Sequence, residues 1–330
     1  MTPSQIHTAL KTLISIRQPV FIWGPPGAGK SQLVAQAAAV LDMSLRDIRA
    51  VLLDPVDLRG LPRITAEGTA QWCPPAFLPA PDDESRGLLF LDELNAAPPL
   101  VQAACYQLIL DRRIGEYRLP DGWCVIAAGN REKDRAVTHR MPSALANRMV
   151  HLECDVCLED WLSWARGADI RPEIMAFLRF RPKLLHDFDP QSSGKAFASP
   201  RSWEFLSRIL DAERDMALLH DLALGTVGMG AATEFMGFLE IWEKLPEVES
   251  ILASPGSAPV PVEPAALYAL AEALALTASP QTVDALTQYA CRLPAEFSVL
   301  LMRDAVCHDP SLAETSAFGC WAASHTHVLM

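Results

Sequence analysis

Gly24-Pro25-Pro26-Gly27-Ala28-Gly29-Lys30-Ser31 spells G-x-x-x-x-G-K-S, the spacing of a loop that closes around a phosphate chain. Its glycines let successive backbone N–H groups turn inward around a pyrophosphate. Lys30 is placed to reach the β- and γ-phosphates, and the Ser31 hydroxyl to ligate Mg²⁺. Before the loop, Pro19-Val20-Phe21-Ile22-Trp23 is a short apolar run, and after it Gln32 to Val40 reads as helix. That strand, loop and helix order aims a helix N-terminus at an anion.

Outward from this stretch, composition bounds the rest. The chain has 330 residues, 50% of them hydrophobic and 21% charged, with a net charge of −12. Such a length suggests about two domains with substantial cores, and such a composition a globular chain. The acidic balance argues against a nucleic-acid coat, which needs clustered lysine and arginine, although a local basic groove stays open. No uncharged apolar run approaches the roughly 18 residues that span a bilayer. Met1-Thr2-Pro3-Ser4 also lacks a basic segment followed by an apolar core, so a cytoplasmic chain with no membrane span is expected. The 8 cysteines should stay reduced, most as small buried hydrophobes. Cys154-x-x-Cys157 has the spacing of half a zinc site without a second pair, which favours core packing.

Along the chain, Ile6, Leu10, Leu13 and Ile14 mark an amphipathic opening helix, and Ile48 to Leu53 a β-type run. Arg63-Ile64-Thr65 and Ala70-Gln71-Trp72 flank a Glu67-Gly68 turn and read as a short hairpin. Leu88-Leu89-Phe90-Leu91-Asp92-Glu93 follows, an apolar run suited to a parallel strand buried on both faces. At its edge Asp92 can hold Mg²⁺ through water, and Glu93 can polarise an attacking water. Asn95 to Leu110 is expected to be largely helical, with Leu100, Ala104, Gln107 and Leu108 on one face. Asp111 to Leu119 looks like a second hairpin turning at Gly115. Trp123 to Ala128 is another buried strand, and it ends in Gly129-Asn130, where a polar side chain faces the ligand crevice of a parallel sheet. Met141 to Arg148 is a short helix displaying an arginine before a last strand, Met149 to Leu152. Beyond residue 155 the pattern turns helical. Ser199-Pro200-Arg201 opens a helix with Ser199 as N-cap and Trp203, Leu206 and Leu210 inward.

Taken together, Gly24 to Ser31, Asp92-Glu93, Asn130, Arg148 and Arg201 resemble the Walker A, Walker B, sensor 1, arginine finger and sensor 2 of an AAA+ ATPase. The two hairpins resemble the inserts of the helix-2-insert clade, and within it the MoxR-like group. The resemblance covers about residues 5–245. It implies an α/β AAA+ P-loop core with a parallel sheet flanked by helices over residues 1–154, with hairpin insertions near 57–73 and 111–120. An α-helical lid would occupy 155–250, and a linker with a helical C-terminal extension 251–330. ATP and Mg²⁺ are the implied cofactors. The nucleotide set would be Gly24 to Ser31 with Gln32 and Asp92, the metal ligands Ser31 and Asp92, and the catalytic set Glu93, Asn130, Arg148 and Arg201. Arg131 and Arg140 compete with Arg148 for the finger.

The resemblance further implies a homo-oligomeric ring, usually a hexamer, in which Arg148 acts on the neighbour's γ-phosphate. It also implies a separate partner with a von Willebrand factor A domain, and a client protein that is remodelled or activated. The alternatives are a nucleic-acid-dependent motor, for which Arg112, Arg113 and Arg118 are the best support, and a nucleotide-dependent binding switch.

Overall fold

The computed structural model describes residues 1–134, 141, 143–192 and 194–325, apart from the side chains of 144 and 145. These residues gather into two compact units. The first holds Met1–Asp160 with Phe188–Ser193, the second Trp161–Asp187 with Gly194–Met330.

The first unit is a parallel sheet covered on both faces. Its five strands are β1 (Val20–Trp23), β2 (Ser44–Arg49), β5 (Gly87–Asp92), β8 (Trp123–Gly129) and β9 (Val150–Glu153), in the order β2-β5-β8-β1-β9. Because side chains alternate across a strand, each central strand must be apolar on both sides to sit between two layers. Leu88 and Phe90 accordingly join Val20, Ile22 and Ile126 under α1 (Pro3–Ser15) and α2 (Lys30–Val40). Leu89 and Leu91 join Phe21, Val125 and Ala127 on the other face, with Val101, Cys105 and Leu108 of α4 (Pro99–Asp111).

Two small antiparallel pairs stand apart from this sheet. In the first, β3 (Leu61–Ile64) pairs with β4 (Ala70–Cys73), preceded by the short helix α3 (Pro55–Arg59). All eight hairpin residues are exposed. In the second, β6 (Arg113–Ile114) pairs with β7 (Tyr117–Arg118) directly after α4. Among the described residues this unit also holds the short helix α5 (Ser143–Ala146).

Three local expectations change. Of the 8 cysteines, expected to be mostly buried, Cys73, Cys291, Cys307 and Cys320 are exposed and Cys157 is half-buried. The β-type run at Ile48 to Leu53 stops at Arg49, and Ala50–Leu52 forms a 3₁₀ turn. Leu52 is 74% exposed, so no sheet face receives it. On α4 the inward residues are Val101, Gln102, Cys105, Leu108 and Ile109, whereas Leu100 is exposed. Packing of Val101, Cys105, Leu108 and Ile109 into the core under the sheet selects this face.

The second unit is helical. It takes in most of α6 (Leu158–Gly167) and the whole of α7 (Pro172–Phe180), α8 (Pro200–Ala212), α9 (Met216–Val227) and α10 (Met229–Glu243). Five more helices follow: α11 (Val248–Ala253), α12 (Pro264–Leu276), α13 (Val283–Ala290), α14 (Ala295–His308) and α15 (Ser316–Ser324). Ser199 caps α8 reciprocally with Ser202, and α8 buries Trp203, Leu206 and Leu210. Trp203 meets Phe177 and Phe235 edge-on or tilted, at centroid distances of 5.5 and 5.6 Å. Among the described residues no helix is long and apolar enough to cross a membrane.

Candidate nucleotide site

Parallel strands deliver their C-terminal ends to one edge. Here β1 ends at the Gly24–Ser31 loop, β5 at Asp92-Glu93 and β8 at Gly129-Asn130. The loop's curvature is visible in its backbone: Gly27 and Gly29 have φ of +78° and +84°, a region where side chains are strained, and Gly29 caps α2 in that conformation.

These elements bring four sequence-nominated side chains into contact. Lys30 Nζ donates to Gly24 O at 2.9 Å, to Pro25 O at 3.1 Å and to Asn130 Oδ1 at 3.0 Å. Ser31 Oγ donates to Asp92 Oδ2 at 2.8 Å. The ammonium is therefore held at the loop by neutral oxygens, which an incoming phosphate can replace with a stronger, charge-assisted contact. Asp92 Oδ1 in turn accepts from the Glu93 backbone N–H at 2.9 Å. Glu93 itself is exposed and adopts φ +54°, so the chain turns sharply off β5 and leaves its carboxylate facing solvent. On β2, desolvation raises the Asp47 carboxyl, the charge of Asp92 raises it further and Arg49 opposes both.

Ser31 Oγ and the Asp92 carboxylate form a hard-oxygen pair of the kind Mg²⁺ prefers, so the residues present fit that ion. Pro25 and Ala28 are buried, whereas Pro26, Gly27 and Gly29 are half-buried and Gln32 is exposed at the first turn of α2.

The nominated arginines are placed differently. Arg148 is exposed on the turn between α5 and β9, outside the bonded cluster, and its backbone carbonyl accepts from Gln18 Nε2 at 3.4 Å. Arg131 is committed to Asp134, its Nε lying 3.1 Å from Oδ2. Arg140 lies outside the described residues. Arg201 is exposed at the second position of α8, in the second unit.

Two features carry no motif. Trp23 Nε1, which can only donate, bonds His151 Nδ1 at 2.9 Å, so His151 Nε2 carries the other proton and donates to Ala146 O at 2.8 Å. That bridge ties the end of α5 to the residue before the loop. Asn95, 2% exposed, donates from Nδ2 to Asn130 O at 2.7 Å. A polar residue three positions beyond a strand-ending aspartate was the available signal for it.

Comparison with known proteins finds one family model and several distant relatives. The family described as AAA domain (dynein-related subfamily) matches residues 19–149. Midasin from Giardia intestinalis is 28% identical over 197 residues, which is 56% of this chain and 4% of that protein, so the chain spans a small fraction of its relative. Among solved structures, a putative ATPase from Cytophaga hutchinsonii aligns with 98% of this chain and 88% of its own, at 16% identity and TM-score 0.39. NtrX from Brucella abortus in complex with ADP aligns over 98% and 67%, at 16% identity and TM-score 0.42. The RuvB Holliday junction branch migration motor from Thermotoga maritima aligns over 82% and 80%, at 18% identity and TM-score 0.39. At such scores none of the three bears on the site.

Proposed function

We propose, from the match of residues 19–149 to the AAA domain family, that this chain is a Mg²⁺-dependent ATP-hydrolysing AAA+ ring subunit of the MoxR-like kind. It remodels or activates a client protein together with a separate von Willebrand factor A-domain partner. The observation that carries the reading is the joint placement of Ser31 against Asp92 and Lys30 against Asn130 at one sheet edge. A loop that only bound phosphate would not need the second strand's carboxylates.

In this reading the loop N–H groups and Lys30 hold the phosphates, and Gln32 lies at the helix start behind them. Ser31 and Asp92 would hold Mg²⁺, which when bound neutralises charge on the β- and γ-phosphates. Glu93 orients and deprotonates the attacking water from its exposed turn. Asn130 senses the γ-phosphate, and Arg148, exposed on its own chain, completes the site of a neighbouring subunit in a hexamer. Arg201 serves as sensor 2 from a helical lid over 155–250, and 251–330 forms the C-terminal extension. The exposed hairpin Leu61–Cys73 is the face that meets partner or client.

The test is Glu93→Gln, assayed for nucleotide binding and turnover. ATP should still bind while hydrolysis nearly stops, and undiminished hydrolysis overturns the assignment. Arg148→Ala should also be inactive while still binding nucleotide. Mixed with Lys30→Ala protein it should recover turnover, and no recovery at any ratio would refute a finger acting between subunits.

Exposed Arg113 and Arg118 keep a nucleic-acid motor as the second reading. Against it, Arg112 donates to Pro120 O at 2.6 Å and Arg118 lies 3.8 Å from Asp121. DNA-stimulated turnover with a steep salt dependence would favour that motor.

A further inference from the structure

Between the nucleotide site and α4 runs a line of buried polar groups to which the reading above gives no task. Asn95 and Gln102 are 2% and 3% exposed. Asn95 Nδ2 donates to Asn130 O at 2.7 Å. The opposite amide orientation would set two acceptors face to face, so the nitrogen is the atom on that side. Gln102 Nε2 donates to Ala97 O at 2.9 Å and to Asn95 O at 3.4 Å. Tyr106 hydroxyl donates to Gln102 Oε1 at 2.6 Å. Burial, with Cys105 adding to it, pushes the Tyr106 phenol up to about 12, so it remains a donor at neutral pH. The line is continuous from Tyr106 through Gln102, Asn95 and Asn130 to Lys30.

Two details set Asn95 apart from an ordinary carbonyl cap. Its Oδ1 is buried with no hydrogen-bond partner, a costly arrangement that an apolar residue of the same shape would avoid. That oxygen also fills the space beside Gly129, where an added Cβ would lie 2.0 Å from it. Strand β8 is thus free of a side chain at the point where Asn95 reaches its end. The peptide carbonyl that Asn95 grips belongs to Asn130 itself. A swing of that peptide would carry the Asn130 side chain away from Lys30.

We propose that Asn95, braced by Gln102, is a positioning residue for ATP hydrolysis, which holds the Asn130 backbone so that the Asn130 amide stays in register with Lys30 and the γ-phosphate. The proposal rests on the reading of Asn130 as the γ-phosphate sensor. Gln102 lies on α4, which leads directly into the hairpin β6–β7.

The test is a double-mutant cycle on the full chain, with kcat measured on radiolabelled ATP and nucleotide affinity measured separately. Asn95→Leu keeps the volume and removes the donor. It should lower kcat on the order of 10²-fold, the cost of a small misplacement at a reacting centre, while ATP affinity stays within about twofold. In an Asn130→Ala background, Asn95→Leu should cost nothing further. Losses that multiply would mean that Asn95 acts independently of Asn130, and would overturn the proposal. Gln102→Met provides the same cycle one step removed, with a smaller loss that must also vanish in Asn130→Ala; it serves if Asn95→Leu does not fold. Full turnover in Asn130→Ala overturns the sensor reading and this proposal together. Loss in Asn130→Ala with full turnover in both Asn95→Leu and Gln102→Met overturns the proposal alone.

Discussion

The two units each gather charged residues, and they treat them in opposite ways. At the sheet edge of the first, Lys30, Ser31, Asp92 and Asn130 are half-buried, and each bond between them joins a side chain to an oxygen that a ligand can displace. In the second, Arg179, Glu272 and Asp304 are almost wholly buried where α7, α12 and α14 meet, with Arg166 of α6 alongside. Arg179 lies 2.7 Å from Asp304 and 3.5 Å from Glu272, yet both Glu272 oxygens and all three guanidinium nitrogens of Arg179 lack a well-directed hydrogen bond. Like residue types thus serve two ends. Charges kept within reach of solvent stay open to a ligand, whereas charges sealed inside a bundle carry a desolvation cost that only their mutual pairing offsets.

The contrast predicts that the first cluster governs rate and the second governs stability. The largest effect should come from Glu93→Gln, with turnover lower by about 10²–10⁴-fold and the melting temperature almost unchanged. A large fall in melting temperature would break the distinction. Next, Arg179→Met should leave the buried Glu272 without its nearest cation, Asp304 keeping Arg166 at 3.0 Å, and destabilise the fold by about 3 kcal/mol, read from urea midpoints, while nucleotide affinity holds.

Third comes a pH effect. Burial, with Asp304 adding to it and Arg179 opposing, pushes the Glu272 carboxyl from 4.5 up to about 7. Between those values the folded chain holds a proton that the unfolded chain releases. The stability from Glu272 is therefore complete below pH 4.5 and is lost as pH rises through 7. The loss over that interval should total roughly 3 kcal/mol, and Glu272→Gln should flatten the profile. An identical pH profile in Glu272→Gln would show that the carboxyl titrates elsewhere. The smallest effect should be Trp23→Phe, which removes the bond to His151 and costs about 1 kcal/mol with the loop intact. A cost near zero would remove any role for that bridge.

Legibility in the sequence followed locality. Gly24 to Ser31 lies on one turn of chain, and Asp92 and Asn130 stand where buried apolar runs stop, so the sheet alone brings them together. The run at Ile48 to Leu53 misled because its residue types favour strands while Leu52 has no layer to cover it. The inward face of α4 differs from the expected one because apolar residues lie nearly all round this helix, so its periodicity does not single out the face that packs. The burial of Asn95 and Gln102 is not legible in the sequence, since burial of a polar group has no periodic signature. The Arg179, Glu272 and Asp304 cluster had no local pattern at all, its members lying on three helices far apart in the chain. Arg148 shows in sequence as an arginine after a short helix, and its proposed role belongs to an interface between chains.

The left-handed backbone at Glu93 sets two selective pressures against each other. Only glycine, and to a lesser degree asparagine, adopts φ +54° cheaply. A library scored for cellular abundance should therefore enrich glycine at 93, whereas the same library scored for turnover should deplete it. Few positions in the molecule should reverse rank so completely between those two screens, because here the carboxylate proposed to act on water and the shape of the chain beneath it make incompatible demands.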